Sequence, residues 1–200
     1  MLWGQPSTRT RTGFELAAQR LGVHYVSLDL GTSSLEKGET LQATVDVLME
    51  MVDAIVIRHE DFEELRLDMR LVNAGSRYDH PSQALADLIV LDRHTPGPVY
   101  VVPAPIGHYV RTMRAFSKRR PYMVTNSPKD AKALYVTRES CPDLLDRVYR
   151  PGMLVLHPGP WTPDQEFLVD EPGFLGFEQA REGISVKEQM LKEALGLWSP

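Results

Sequence analysis

Three short stretches of this chain concentrate side chains suited to an anionic ligand. The first is Ser7-Thr8-Arg9-Thr10-Arg11, where hydroxyls alternate with guanidiniums. Apolar residues at helical spacing follow (Phe14, Leu16, Ala17, Ala18, Leu21), and Gly22 supplies the stop. A helix N-terminus presents unpaired N–H groups and partial positive charge, so it attracts anions. Hydroxyl donors and the planar fork of Arg fit phosphate oxygens in particular. The same residues also read as an N-cap followed by a solvated basic turn. The second stretch is Arg58-His59, and the third is His80-Pro81-Ser82-Gln83. Taken singly, Arg58 could be a surface ion-pair partner, His80 a helix cap and Gln83 an ordinary first-turn residue.

The surrounding pattern would carry these side chains to a common place. A helix over about 10–21 leads to a strand-like segment at 24–29 and a polar loop at 31–39. From Thr40, a candidate cap, Leu41, Val45, Leu48, Met49 and Val52 recur at helical spacing. The apolar run Ala54-Ile55-Val56-Ile57 fits a buried parallel strand and ends in Arg58-His59. A third strand at 71–74 ends in Gly75, and a helix follows Gln83 through Leu88 and Leu91. Strands alternating with helices imply parallel βα units, whose ligands gather at the carboxyl ends of the strands. Arg58, His59, His80 and Gln83 sit at such ends.

Past His94 the texture changes. Thr95-Pro96-Gly97-Pro98 reads as a turn or hinge. Strands are expected at 99–102, 122–125, 133–138 and 153–157, with a helix over 108–118. Pro158-Gly159-Pro160 forces an irregular loop. A closing helix over about 177–197 is weakened in its first third by Gly183.

Composition bounds the function classes. The net charge of −5 argues against a general nucleic-acid binder. A single cysteine, Cys141, excludes an internal disulfide framework and fits a reducing cytosol. No apolar run approaches the roughly 20 residues that span a bilayer, and no signal-like segment opens the chain. A cytoplasmic setting without membrane or nucleic acid is the expectation.

Joined in order, these motifs carry a resemblance. Ser7-Thr8-Arg9-Thr10-Arg11, then Ser34-Leu35-Glu36-Lys37-Gly38-Glu39-Thr40, Ile57-Arg58-His59 and His80-Pro81-Ser82-Gln83-Ala84-Leu85-Ala86-Asp87-Leu88 resemble the aspartate/ornithine carbamoyltransferase family. Leu156-His157-Pro158-Gly159-Pro160 and Gln179-Ala180-Arg181-Glu182-Gly183-Ile184-Ser185-Val186 resemble the C-terminal motifs of the aspartate branch. The match is dense over 5–92, patchy over 93–150 and good again from 151. It implies an α/β fold of two small parallel-sheet, Rossmann-like domains. Residues 1–93 would bind carbamoyl phosphate, 94–176 would form a shortened acceptor domain, and 177–200 would be a helix packing back on the first domain.

The resemblance also implies roles. Ser7, Thr8, Arg9 and Thr10 would bind phosphate, while Thr10, Arg58 and His80 would contact the carbonyl oxygen and Gln83 the carbamoyl NH2. Fixed donors aimed at a carbonyl where charge develops lower its barrier, and orientation supplies much of the rest, with no metal or cofactor. Ser33 and Lys37 would reach into a neighbouring subunit's site, so that activity needs a homotrimer. Arg111, Arg138 and Gly159 would hold the acceptor, aspartate or another amino acid, which places the reaction in pyrimidine biosynthesis. Arg111 also reads as a solvated helix residue among Arg114, Lys118, Arg119 and Arg120.

Departures from the family pattern accompany the matches. Only Met1 to Gln5 precede the phosphate motif, where the family has a long helix and a first strand. Without them the closing helix would expose Ile184, Met190, Leu191 and Leu195, and three readings stay open: a further protein partner covers that face, the fold is rearranged, or the sequence is part of a longer chain. Ser140 stands where the family has Gln, and the loop between Arg138 and Met153 is cut to a brief turn. Two functions stay open at this level: an amino-acid carbamoyltransferase, and a non-catalytic relative that binds phosphate or carbamoyl phosphate as a regulatory or assembly partner.

Overall fold

The computed structural model describes residues 1–94, 97–102 and 124–197. The chain divides into two units, Met1–Ser82 with Gly183–Pro200, and Gln83–Glu182. Each is a four-stranded, wholly parallel sheet with helices, so both are α/β units.

In the first unit the strand order is β2-β1-β3-β4, where β1 is Leu2–Trp3, β2 Leu28–Asp29, β3 Ile55–Arg58 and β4 Leu71–Asn73. A strand therefore does precede the Ser7 motif, contrary to the sequence expectation. It has two residues, too few to show an alternating pattern, yet it pairs with both β2 and β3. The 24–29 segment contributes only Leu28–Asp29 to the sheet.

The sheet is buried on both faces, as parallel sheets require. Trp3, Val56 and Val72 point to one side, where they meet Phe14, Ala17 and Ala18 of helix α1 (Thr8–Arg20). Leu2, Ile55 and Ile57 point to the other, against Val45 of α2 (Leu41–Met49), Leu30 and Phe62. Thr40 does cap α2, its hydroxyl accepting from the Ala43 N–H at 3.1 Å.

Two helices run across the division between the units: α3 (Pro81–His94) and the closing helix (Gly176–Ala194). In the first unit, Leu191 and Ala194 of that closing helix lie in the cluster formed by Trp3, Phe14, Ala17 and Ala18. This corrects the expectation that the helix leaves an apolar face exposed. Leu191 is buried, Met190 packs against the same cluster, and Ile184 and Leu195 are half-buried.

The second unit has strand order β6-β5-β7-β8, with β5 at Val99–Val101, β6 at Val124–Thr125, β7 at Ala133–Tyr135 and β8 at Leu154–Leu156. Val90 and Leu91 of α3 cover one face through Val99, Ala133, Tyr135 and Leu156. A helix α4 (Pro142–Val148) covers the other, with Leu145 and Val148 against Leu134, Val136 and Val155. The closing helix is then α5 in chain order. The turn expected between Arg138 and Met153 thus contains a helix, and Pro142 occupies its first turn, where a missing N–H costs nothing. The helix expected over 108–118, and Arg111 with it, lie outside the described residues.

Candidate active site

Ser7 sits at the N-cap of α1 with extended backbone, yet its hydroxyl makes no capping hydrogen bond. The helix start therefore keeps N–H groups and the hydroxyl for another acceptor. Ser7 and Thr8 line a cleft of about 500 Å³, with Trp3, Gln5, Arg11 and Asp29 on its walls. Arg9 is exposed. Arg11 is engaged within its own unit, where its Nε donates to Glu15 at 3.0 Å and its guanidinium lies 5.9 Å from the Trp3 ring centre. Burial works to raise the Glu15 carboxyl, but hydrogen bonds from Ser27 and Arg11 outweigh it and hold Glu15 below the usual carboxylate range.

Thr10 turns inward. It is buried, and its Oγ1 lies 3.3 Å from His80 Nε2. Arg58, at the carboxyl end of β3, donates from Nη1 to the same Nε2 at 2.9 Å and to the Ala74 carbonyl at 3.1 Å. A guanidinium cannot accept a hydrogen bond, so His80 Nε2 must be the bare nitrogen. The proton then belongs on Nδ1, which faces Ser82 Oγ at 3.4 Å. A cationic donor and a hydroxyl converge on one point, and His80 is held in a single tautomer.

Gly75 makes this convergence sterically feasible. Its φ is +121°, and a Cβ there would overlap Arg58 Nη1 and come within 2.9 Å of His80 Cδ2. The Asn73 side chain accepts from the Gly75 N–H at 2.7 Å and fixes the turn. In the sequence Gly75 reads only as a strand terminator, whereas in the fold it admits Arg58 and His80 side by side.

Gln83 belongs to the second unit, in the first turn of α3. Its Nε2 donates to Asp87 Oδ1 at 2.7 Å. Asp87 is fully buried and also accepts from Gln179 Nε2 at 2.7 Å and from the Tyr135 hydroxyl at 2.8 Å. Gln179 Oε1 accepts from the His157 N–H at 2.7 Å. His157 Nδ1 accepts from the Gly159 N–H at 3.0 Å, so its Nε2 carries the proton and donates to Gln165 Oε1 at 3.0 Å. Gln165 Nε2 donates to the Thr137 carbonyl at 2.9 Å. These buried polar groups form one connected set, and sequence reasoning missed Asp87, Gln179, Tyr135 and Gln165 as members of it. Only Asp87 carried a local signal: it lies four residues after Gln83, on the same helix face.

The remaining acceptor candidates are arranged differently. Arg138 is exposed and its Nε meets Glu139 Oε1 at 2.5 Å. Gly159 has φ +68°, and Ser140 is turned inward, its hydroxyl donating to the Val102 carbonyl and accepting from the Thr137 N–H. Ser33 also faces its own loop, donating to the Leu30 carbonyl at 2.7 Å and accepting from the Leu35 N–H at 3.3 Å. Lys37 is exposed, with no ion pair or hydrogen bond among the described residues. Among those residues no His, Cys, Asp or Glu cluster is placed to hold a metal, and no helix is long and apolar enough to cross a membrane.

Comparison with known proteins agrees with the resemblance. Residues 1–93 match the family model described as aspartate/ornithine carbamoyltransferase, carbamoyl-P binding domain. Over 103 residues the chain is 48% identical to the aspartate carbamoyltransferase catalytic subunit of Aliarcobacter butzleri, a match covering 48% of this chain and 35% of that protein. It is 44% identical over 95 residues to the ornithine carbamoyltransferase of Parafrankia sp., covering 44% of this chain and 29% of that one. The chain thus spans about a third of the length of these relatives. The catalytic subunit of M. jannaschii aspartate transcarbamoylase superposes with a TM-score of 0.74 at 25% identity, covering 98% of this chain and 84% of that chain. A Trypanosoma cruzi aspartate transcarbamoylase solved with carbamoyl aspartate and phosphate gives a TM-score of 0.75 at 22% identity, over 95% and 80% of the two chains. The family model matches residues 1–93, while the fold likeness extends over nearly all of the chain.

Proposed function

From that likeness we propose that this chain is a carbamoyltransferase, moving the carbamoyl group of carbamoyl phosphate to aspartate as a step of pyrimidine biosynthesis in the cytoplasm. The observation that carries the reading is the convergence of Arg58 Nη1 and Thr10 Oγ1 on His80 Nε2. Two donors, one of them cationic, are already held around a single acceptor position. A carbonyl oxygen seated beside that nitrogen, within reach of both donors, gains charge-assisted hydrogen bonds that strengthen as its negative charge grows.

In this proposal the two ends of carbamoyl phosphate are held by different groups. Ser7, Thr8, Arg9 and Thr10 take the phosphate at the start of α1, where N–H groups and helix polarity favour an anion. Thr10, Arg58 and His80 contact the carbonyl oxygen, the first two as donors that His80 holds in place, and Gln83 holds the carbamoyl NH2. Residues 1–93 form the carbamoyl-phosphate domain, 94–176 the acceptor domain with Arg111, Arg138 and Gly159, and 177–200 the helix that returns to the first. Ser33 and Lys37 act on a neighbouring copy in a homotrimer.

The test is direct. Labelled carbamoyl phosphate is incubated with the purified protein and a panel of amino acids, and released phosphate and carbamoylated product are both followed. Equal amounts of phosphate and carbamoyl aspartate are expected. Binding of carbamoyl phosphate with no product from any acceptor would reduce the chain to a non-catalytic binder.

A further inference from the structure

Asp87 is an unusual residue to find wholly enclosed. A buried carboxylate is costly unless its oxygens are well supplied with donors, and here two side-chain amides and a phenol serve it. The donors come from far apart in the chain: Gln83 on α3, Tyr135 on β7 and Gln179 on α5. Core stability alone does not call for this arrangement, since an apolar residue of similar volume would avoid the desolvation.

The geometry constrains Gln83 in a specific way. A side-chain amide has a donor end and an acceptor end, and an ionised carboxylate only accepts. With Gln83 Nε2 donating to Asp87 Oδ1 at 2.7 Å, the amide cannot turn over without bringing Oε1 against the carboxylate. Gln83 Oε1 must therefore stay on the side away from Asp87, where it takes no hydrogen bond among the described residues. Gln179 is fixed by the same oxygen: its Nε2 donates to Oδ1, which commits its Oε1 to the His157 N–H. One carboxylate oxygen sets the orientation of two amides.

We infer that Asp87 is a positioning residue that locks the Gln83 amide with its carbonyl oxygen outward, making Gln83 an acceptor for an N–H-bearing substrate group. This rests on the proposed role of Gln83 toward the carbamoyl NH2. It adds a discrimination: inorganic phosphate has no N–H to offer that oxygen, whereas carbamoyl phosphate does. Asp87 acts on selectivity between the two, not on phosphate binding.

The experiment compares affinities for carbamoyl phosphate and inorganic phosphate in the wild type, Gln83→Ala, Asp87→Ala and Asp87→Asn, with thermal melting as a check on folding. In parallel, the side-chain amide signals of Gln83 are followed by 15N-resolved NMR, assigned through Gln83→Ala. The expected result is that Gln83→Ala lowers the preference for carbamoyl phosphate about tenfold, and that Asp87→Ala matches it within about twofold while phosphate affinity changes little. Asp87→Asn keeps an oxygen for the amides but loses the charge, so the Gln83 amide protons should shift upfield in a folded protein. A folded Asp87→Ala with the wild-type preference, or Gln83 amide signals unmoved in Asp87→Asn, would overturn the inference. Should the wild type show no preference while those signals do shift, the carbamoyl role of Gln83 falls and its orientation by Asp87 stands.

Discussion

Two imidazoles and two amides in this protein are fixed by what their neighbours are unable to do. Arg58 cannot accept, so His80 Nε2 must; the Gly159 N–H cannot accept, so His157 Nδ1 must. The tautomers come out opposite, each set by a donor at the bare nitrogen. Gly75 is the weak point of the first arrangement, because it has the least room to change. Gly75→Ala would put a methyl group onto Arg58 Nη1 at a backbone conformation that L residues rarely adopt. Arg58 or His80 must then move, and donors displaced by even about 1 Å lose much of their effect. The expected outcome is a loss of turnover of about 100-fold or more with the melting temperature lowered by only a few degrees, checked by steady-state kinetics and calorimetry. A variant with near wild-type turnover would separate Gly75 from the site.

Among the elements, what is legible in the sequence follows how far each signal reaches along the chain. Ala54-Ile55-Val56-Ile57 and the Thr40 cap are local patterns, and both correspond to elements at nearly the expected residues. Strand β1 gives no signal because two residues have no period, and its place between β2 and β3 depends on partners more than 20 residues away. Arg58 and His80 stand out through their motifs, but the reason they can touch lies in Gly75. The Asp87 set is illegible for the same reason of distance, with Gln179 lying 92 residues beyond Asp87. Helix α5 shows the opposite error. Gly183 is a weakness by propensity, yet its carbonyl accepts from buried Lys187 Nζ at 2.9 Å, and that ammonium lies 5.7 Å from the Phe14 ring centre. The helix is anchored to α1 by packing more than by propensity. Leu191→Ala should therefore cost about 2–4 kcal/mol, read as a lower urea midpoint with an unchanged slope. A cost below about 0.5 kcal/mol would mean that the Phe14 cluster does not hold the helix.

For the assembled molecule, the 29–38 segment makes the sharpest demand. Asp29 accepts from the Gly31 N–H, Ser33 braces the next turn, and Gly38 closes it with φ +91°. A loop so well tied by its own hydrogen bonds holds Lys37 in solvent, leaving its charge for another body. If that body is the phosphate site of the next copy in a homotrimer, each site draws Arg9 from one chain and Lys37 from its neighbour. Arg9→Ala and Lys37→Ala proteins should then each be nearly inactive alone. Mixed in equal amounts and allowed to exchange, they regenerate complete sites wherever a chain with intact Arg9 adjoins one with intact Lys37. Random assembly makes that about a quarter of all sites, so about a quarter of the wild-type rate should return. A protein that carries both substitutions in one chain, mixed with wild type, is the control for exchange. No recovery despite demonstrated exchange would place Lys37 outside the shared site and leave the phosphate to the helix start, Arg9 and the hydroxyls of a single chain.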